Sequence, residues 1–477
     1  MSTPLITKAK PRYRSFSQLF RSSIPAIMPA RASPIIAPSL TISTSRSIPI
    51  PQRQLSTSSV ASYAEPVSSA ASSSSILFND DDVEVVTEEG LHHSETKLEA
   101  RRYKRPEFAV DLLQVLQDLE IPSWVRPDIT PESLQVKKVA GSMTNAVFFI
   151  SHPNARTLLL RIYGSSSGSL ISRPRELHTL HILSSQYRIG PRVYGTFENG
   201  RVEEYFESTT LTAEDLREPT ISQWTGARMA ELHSVDIEVV EDTTPSKRGE
   251  GKGWEIGAKK NVKSWLSPAR EVLALPGVSD EDRKVLDIDD FESQWTRYLK
   301  WLSGIDDVNT GSKRVFAHND TQYGNLLRLA KLKEGVPEHR QIIVVDFEYA
   351  SPNPASFDIA NHFHEWTAAY DSATPHLLDP ARYPTPAQRQ NFYAAYLAHA
   401  ARLGAPLIAD RKHELALLER QVCAWSPASH AMWAVWGIVQ ARENVESETK
   451  EPEFDYIGYA KCRMEGFRRE LAALGVL

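Results

Sequence analysis

Cysteine is nearly missing from this chain, which has two, Cys423 and Cys462, in 477 residues. One possible pair cannot build a disulfide framework in a chain this long, so a reducing compartment is implied, and both thiols are expected to pack as small buried hydrophobes. No run approaches the roughly 20 consecutive apolar residues that a membrane-spanning helix needs, so the main body of the chain is expected to be soluble. The formal net charge is -6, which gives no reason to expect nucleic acid as a partner. No internal repeat is visible. The length exceeds one compact core and suits a two-lobed unit with extra sequence attached.

Acidic residues are absent before Glu65, and the stretch up to Ser75 is rich in Ser, Pro, Ile and Arg. Such a segment cannot bury enough apolar surface to offset its ordering entropy, so residues 1–100 are expected to be a disordered extension with an acidic end, Asp80 to Glu89. Two readings fit its first part. Arg12, Arg14, Arg21, Arg31, Arg46 and Arg53 among hydroxyls have the composition of an organelle presequence. Pro25, Pro29, Pro34, Pro38, Pro49 and Pro51 oppose the amphipathic helix a presequence needs and favour a disordered, phosphorylatable tail. A cytoplasmic location is expected, with some mitochondrial character in the tail.

Beyond the tail, Phe108, Leu112, Val115, Leu116 and Leu119 form one helical stripe, closed by Pro122. The period then changes. Val147–Ile150, Thr157–Ile162, Arg192–Phe197 and Val202–Phe206 read as strands, with a helix from Arg175 to Gln186 between the second and third. That order suits a small nucleotide-clasping lobe, assigned to residues 101–206. From 207 to 477 the chain reads as mostly helical. Thr220 and Gln223 form a capping-box pattern ahead of Trp224, Ala227 and Leu232, and Glu241 to Gly257 reads as a surface loop.

The strongest chemical signal is His318-Asn319-Asp320-Thr321-Gln322-Tyr323-Gly324-Asn325, followed by Ile342-Ile343-Val344-Val345-Asp346-Phe347-Glu348. Phosphoryl transfer leaves little covalent work to a protein, which must place a hydroxyl, hold Mg²⁺ and spread the charge of the moving group. Asp320 can accept the hydroxyl proton. Asn325 offers a neutral oxygen to a metal, and Asp346, ending an apolar strand, offers an anionic one.

At these residues the chain resembles the choline/ethanolamine kinase family, relatives of the aminoglycoside phosphotransferases and more distantly of protein kinases. The likeness runs from about Val136 to the C-terminus, and the stretch from Asp346 through Tyr349, Asn353, Asp358 and Asn361 to Trp366 resembles the family signature over its whole length. It implies an α+β, two-lobed protein-kinase-like fold with a β-rich N-lobe and a helical C-lobe, ATP and Mg²⁺ as cofactors, and a homodimer. It also implies residue roles. Gly141, Ser142, Thr144 and Asn145 would cover the phosphates, Arg161 would bind phosphate with Glu176 steadying it, and Glu204 and Phe206 would meet adenine at the hinge. Glu348 would join Asn325 and Asp346 at the metal.

The resemblance further implies choline as substrate. A quaternary ammonium has no N–H donor, so aromatic faces and a nearby carboxylate must hold it. Trp433 and Trp436 lie three apart in a helical segment expected to restart after Pro427, so both can project from one face. Tyr459 and Tyr349 would complete the pocket, and Glu365 would be its acidic partner. Phe347 and Trp366 favour the choline branch over the ethanolamine branch. Ethanolamine is the alternative or second substrate. A catalytically silent scaffold and an aminoglycoside-type enzyme are weaker alternatives, opposed by the intact Asp320, Asn325, Asp346 and Arg161 and by the two tryptophans.

Overall fold

The computed structural model describes residues 85–139, 145–164, 172–244, 253–306, 311–406, 410–446 and 454–477. Strands β1 (His92–Ser94), β2 (Gln135–Lys138), β3 (Asn145–His152), β4 (Ala155–Tyr163), β5 (Val193–Phe197) and β6 (Gly200–Glu204) form one sheet of spatial order β1-β5-β6-β4-β3-β2. Only β1 on β5 is parallel.

Period-two alternation divides the work of this sheet. Leu158, Leu160 and Ile162 of β4 and Val202 of β6 are buried in a cluster with Phe108, Leu112, Val115 and Leu116 of helix α1 (Pro106–Asp118). Arg161 and Tyr163 belong to the opposite set of β4, and Arg201 and Glu203 to the corresponding set of β6, with Arg161 directly across from Arg201. One face therefore carries the apolar core and the other carries charge. Helix α2 (Arg173–Ile182) follows β4 and ends in a single π turn, Leu183–Tyr187, within the span expected to be one regular helix.

The chain leaves this lobe at β6, passes through Tyr205, Phe206 and Glu207, and enters β7 (Ser208–Thr210). Strand β7 belongs to a second sheet, ordered β10-β9-β7, with β9 (Leu326–Leu329) and β10 (Ile342–Val344). Residues 205–207 thus join two sheets, next to Glu204 and overlapping the expected hinge. Strands β8 (Arg314–Ala317) and β11 (Ser351–Pro354) pair separately.

The rest of the C-lobe is helical: α3 (Pro219–Leu232), α4 (Gly257–Ala274), α5 (Ile288–Ser303), α6 (Ala355–Glu365), α7 (Pro386–Arg402), α8 (Arg411–Gln440) and α9 (Tyr456–Leu474), with shorter turns between. The two-lobed α+β arrangement is the one expected.

Several local expectations are corrected. The ordered lobe begins before residue 101, because Val86 and Leu98 are buried and β1 adds to the sheet. Three residues of β1 gave too short a pattern to read. Helix α3 is capped by Glu218, whose carboxylate accepts from Ile221 N at 2.8 Å, and not by Thr220. Pro219 explains this, since its fixed φ suits the first helical position. Pro427 does not interrupt α8, which runs for 30 residues straight through it. Tertiary contacts override the local penalty there: the flanking residues are buried, and Tyr298 donates its hydroxyl to the Ala424 carbonyl at 2.7 Å. Cys423 is exposed and Cys462 half-buried, so neither is the buried hydrophobe expected. Much of the Glu241 to Gly257 loop lies outside the described residues.

Candidate active site

The loop after β8 is built on one buried carboxylate. Asp358, in the first turn of α6 and wholly buried, accepts from His318 N at 2.9 Å, from Asn319 N at 2.8 Å and from His233 Nε2 at 2.9 Å. Asn319 sits at φ +65°, a left-handed conformation that Asn tolerates better than most residues. Its side chain is held too: Nδ2 donates to the Tyr349 carbonyl at 2.9 Å, and Oδ1 accepts from Asn353 at 2.8 Å. Asp320 follows on this rigid base. Asn325 Nδ2 donates to both the Asp320 carbonyl and its Oδ2, each at 2.9 Å.

Asp346 is delivered from the other side. Its peptide follows β10, where His318 Nε2 meets the Val345 carbonyl at 3.0 Å, tying the two loops together. Asp346 has φ +67°, a strained value for a residue with a side chain, and its buried Oδ1 has no hydrogen-bond partner. Strain and an unsatisfied oxygen in one residue make Asp346 a candidate for a functional role. Burial pushes the Asp320 carboxyl well above the usual carboxylate range, and the charges on Glu365 and Asp346 push it further. Burial also raises Asp346. Glu348 lies well above its ordinary value, through burial and then the negative charge of Asp346, Glu176 and Asp320. A cation bound among these crowded carboxylates would favour their charged forms. Asp346 and Glu348 supply hard oxygens, and Asn325, with its amide nitrogen committed to Asp320, can add its carbonyl oxygen.

Across the cleft the charged face of the N-lobe sheet forms a balanced network. Arg161 Nε donates to Glu203 at 3.2 Å, Arg201 Nε donates to the same oxygen at 2.6 Å, and Arg201 Nη2 reaches Glu176 at 2.6 Å. The direct Arg161–Glu176 pair expected is thus replaced by a relay through Glu203 and Arg201. Arg161 and Asp346 lie within electrostatic reach of each other, so the cation faces the acidic cluster. Asn145 begins β3 and is buried. Gly141, Ser142 and Thr144 lie outside the described residues. Glu204 ends β6 and accepts from Arg192 N at 3.4 Å, with Phe206 two residues on in the expected hinge.

Four aromatic rings adjoin the acidic cluster. Tyr349 meets Trp433 at 5.2 Å and 71°, Trp433 meets Trp436 at 5.2 Å and 80°, and Trp436 meets Tyr459 at 5.9 Å and 78°. Successive rings stand at near right angles, the edge-to-face geometry aromatic pairs favour, and Tyr349, Trp433 and Tyr459 are buried. Trp436 Nε1 donates to the Tyr349 hydroxyl at 2.8 Å. Trp433 Nε1 donates to Asn361 Oδ1 at 2.8 Å, and Asn361 Nδ2 holds the Asn319 carbonyl at 3.0 Å. Trp433 therefore braces the loop that carries Asp320 as well as its aromatic neighbours.

Glu365 is not a free acid. Arg463 Nη2 donates to one of its oxygens and the Tyr370 hydroxyl to the other, each at 2.6 Å. Arg463 is fully buried and also donates to the Tyr459 hydroxyl at 2.9 Å. Phe347 and Trp366 are buried away from the four rings: Phe347 packs on His318 at 5.1 Å, and Trp366 donates to His362 at 3.2 Å. Reading by motif missed Asp358, Asn361, Tyr370, Arg201 and Arg463. The first two sit inside the signature run, where a polar residue within an otherwise apolar helical stretch was the available signal. Arg463 stands four residues after Tyr459, on the same face of α9.

An Asp358→Asn change is expected to lower stability by roughly 2–3 kcal/mol, because an amide must turn an NH₂ toward a donor that the carboxylate accepted from. Hydrogen bonds and His233 hold the Asp358 carboxyl below its ordinary value despite its burial. Its contribution is therefore complete above that value and is lost as pH falls through the lower folded-state one. Melting curves of the two proteins should differ most near neutrality and converge in acid. A constant gap down to the most acid condition would contradict the assignment.

Residues 136–468 match the family model described as choline/ethanolamine kinase. Choline kinase of Schizosaccharomyces pombe is 35% identical over 428 residues, covering 78% of this chain and 90% of that protein. Probable choline kinase 2 of Arabidopsis thaliana is 32% identical, covering 78% and 95%. Among solved structures, choline kinase from Cryptosporidium parvum shares the fold with a TM-score of 0.57 at 24% identity, covering 77% of this chain and 97% of that one.

Proposed function

The chain belongs to the choline/ethanolamine kinase family, and from that membership we propose that it transfers the terminal phosphoryl group of ATP to the hydroxyl of choline. The choline oxygen forms the new bond to phosphorus as the bond to the ADP oxygen breaks, and the hydroxyl proton passes to Asp320. The products are phosphocholine and ADP. One observation carries the choice of substrate: Tyr349, Trp433, Trp436 and Tyr459 stand edge to face beside the carboxylates. A trimethylated ammonium is poorly hydrated and gains from aromatic faces, each worth roughly 0.5–2 kcal/mol.

The remaining roles follow from position. Asp320 orients the hydroxyl and takes its proton. Asp346, Glu348 and Asn325 would hold Mg²⁺, which when bound draws off charge from the phosphate oxygens. Arg161 faces the same phosphates from the N-lobe, held in place by Glu203. Residues 204–206 present hinge backbone to adenine. Glu365 lends negative charge near the amine, steadied by Arg463 and Tyr370. A cytoplasmic enzyme working as a homodimer completes the proposal, carried by the family resemblance alone.

An ADP-release assay with choline and ethanolamine as alternative acceptors tests this reading. Choline should give the larger kcat/KM, by about tenfold if two aromatic contacts distinguish the amines. Preference for ethanolamine would transfer the assignment to the other branch of the family, and turnover of neither would refute it.

A further inference from the structure

Behind the amine box, α6, α8 and α9 meet around three groups that phosphoryl transfer does not use. His364 and His430 are each only 3% exposed, and their rings lie 4.0 Å apart. The Nε2 atoms of both stand 3.7 Å from Glu470 Oε1. Neither ring nitrogen of His430 has a hydrogen-bond partner, and neither has Glu470 Oε2. The backbone makes room for this: a Cβ on Gly466 would fall 2.5 Å from His430 Cε1. A cavity of about 260 Å³ opens onto the group, lined by His364, Thr367, Tyr383, His430, Cys462 and Glu470 among others.

We propose that His364, His430 and Glu470 bind one transition-metal dication of the Zn²⁺ class, with the fourth position filled by water from the cavity. The spacing is the first argument. At 3.7 Å the imidazole nitrogens are too far from the carboxylate for hydrogen bonds. Ligands about 2.0–2.1 Å from a tetrahedral ion stand about 3.4 Å apart, so a small inward shift completes the site. The ligand set is the second argument. Two imidazoles and one carboxylate suit Zn²⁺ and its neighbours, whereas Mg²⁺ prefers oxygen alone. The Ser426 hydroxyl, 2.8 Å from His364 Nε2, must rotate aside when the ion enters.

The cluster of Glu231, His339 and His399 also holds a buried imidazole nitrogen without a partner, His399 Nε2, but differs at its carboxylate. There the carboxylate accepts from His339 at 2.8 Å and is flanked by Arg228 and Arg340, so it is already neutralised. At the proposed site an ion would staple three helices that carry Glu365, Trp433 and Tyr459. Its occupancy would set how firmly the amine box is held.

The test is a Co²⁺ titration of the full-length, chelator-stripped protein with Mg²⁺ in large excess, so that the phosphotransfer carboxylates are occupied. Both cysteines are changed to Ser in a parallel sample to remove thiol binding. One Co²⁺ per chain should bind with the intense visible absorption of a four-coordinate nitrogen-ligated ion. Zn²⁺ should bleach the band stoichiometrically and raise the melting temperature by several degrees. Glu470→Gln and His364→Gln should each weaken binding at least tenfold, and the cysteine-free sample should bind as the wild type does. The proposal is overturned if the wild-type chain takes up no stoichiometric Co²⁺, or if Glu470→Gln binds it equally well. The titration reads a wild-type property, so misfolding of a variant cannot obscure it, and it uses no turnover, so its failure is separable from failure of the kinase assignment.

Discussion

Asp320→Asn is expected to lower kcat by about a thousandfold, within the range for losing a positioned general base, while the melting temperature stays constant or rises. Most single changes at a well-packed site lose stability, and the reason this one should not lies in the charges around it. The Asp320 carboxyl is disfavoured as an anion by burial first and then by Glu365 and Asp346. A neutral amide of the same shape removes that repulsion. It keeps the local structure, because an amide oxygen can still accept from Asn325 Nδ2, and the Asn325 bond to the Asp320 carbonyl does not involve the side chain. The loop itself hangs on Asp358 through the amides of His318 and Asn319. Loss of turnover without loss of stability is the trade expected where function holds like charges together. The check is paired calorimetry and single-turnover kinetics. A melting point lowered by several degrees would make Asp320 a structural residue, and near-normal turnover would remove it from the chemistry.

The same residues show what could be read in advance. A phosphotransfer motif was legible because that chemistry needs particular side chains at short, ordered spacings, and Asp320, Asn325 and Asp346 lie near one another in the fold. The lobes were legible because the hydrophobic period changes from helical to alternating and back. Contacts across the fold were not legible in this way. Arg161 was expected to pair with Glu176, yet cross-strand register sets Arg161 opposite Arg201, and Glu203 then lies between the two guanidiniums. Nothing local specifies that register. Glu365 was expected as the acidic partner of the amine, with no sign of Arg463, which is 98 residues away along the chain. Pro427 was read as a break because local propensity opposes helix there, and burial overrode it.

Those long-range contacts decide which aromatic residue tests substrate choice cleanly. Trp433 is a poor probe, since its indole nitrogen holds Asn361 and through it the Asn319 carbonyl, so its removal would disturb both box and catalytic loop. Trp436 is half-buried, and its indole N–H donates to the Tyr349 hydroxyl. Trp436→Ala should raise the KM for choline roughly tenfold, as expected for one face-on cation contact, with a smaller rise for ethanolamine and almost none for ATP. Ethanolamine keeps N–H groups whose hydrogen bonds an indole face cannot replace, so it has less to lose. Trp436→Phe retains an aromatic face but loses the bond to Tyr349. Recovery of most choline affinity in that variant would assign the effect to the ring, whereas equal losses in Ala and Phe would assign it to the hydrogen bond. Glu365→Gln supplies the contrast. It strips the buried Arg463 of its counter-charge, a loss of about 3–5 kcal/mol for a broken buried pair, and leaves a net positive charge beside the amine. Both amines should then suffer together and the melting temperature should fall. A Trp436→Ala enzyme that loses choline, ethanolamine and ATP in equal proportion would show that the rings serve packing, and the aromatic box would have to be abandoned as the source of selectivity.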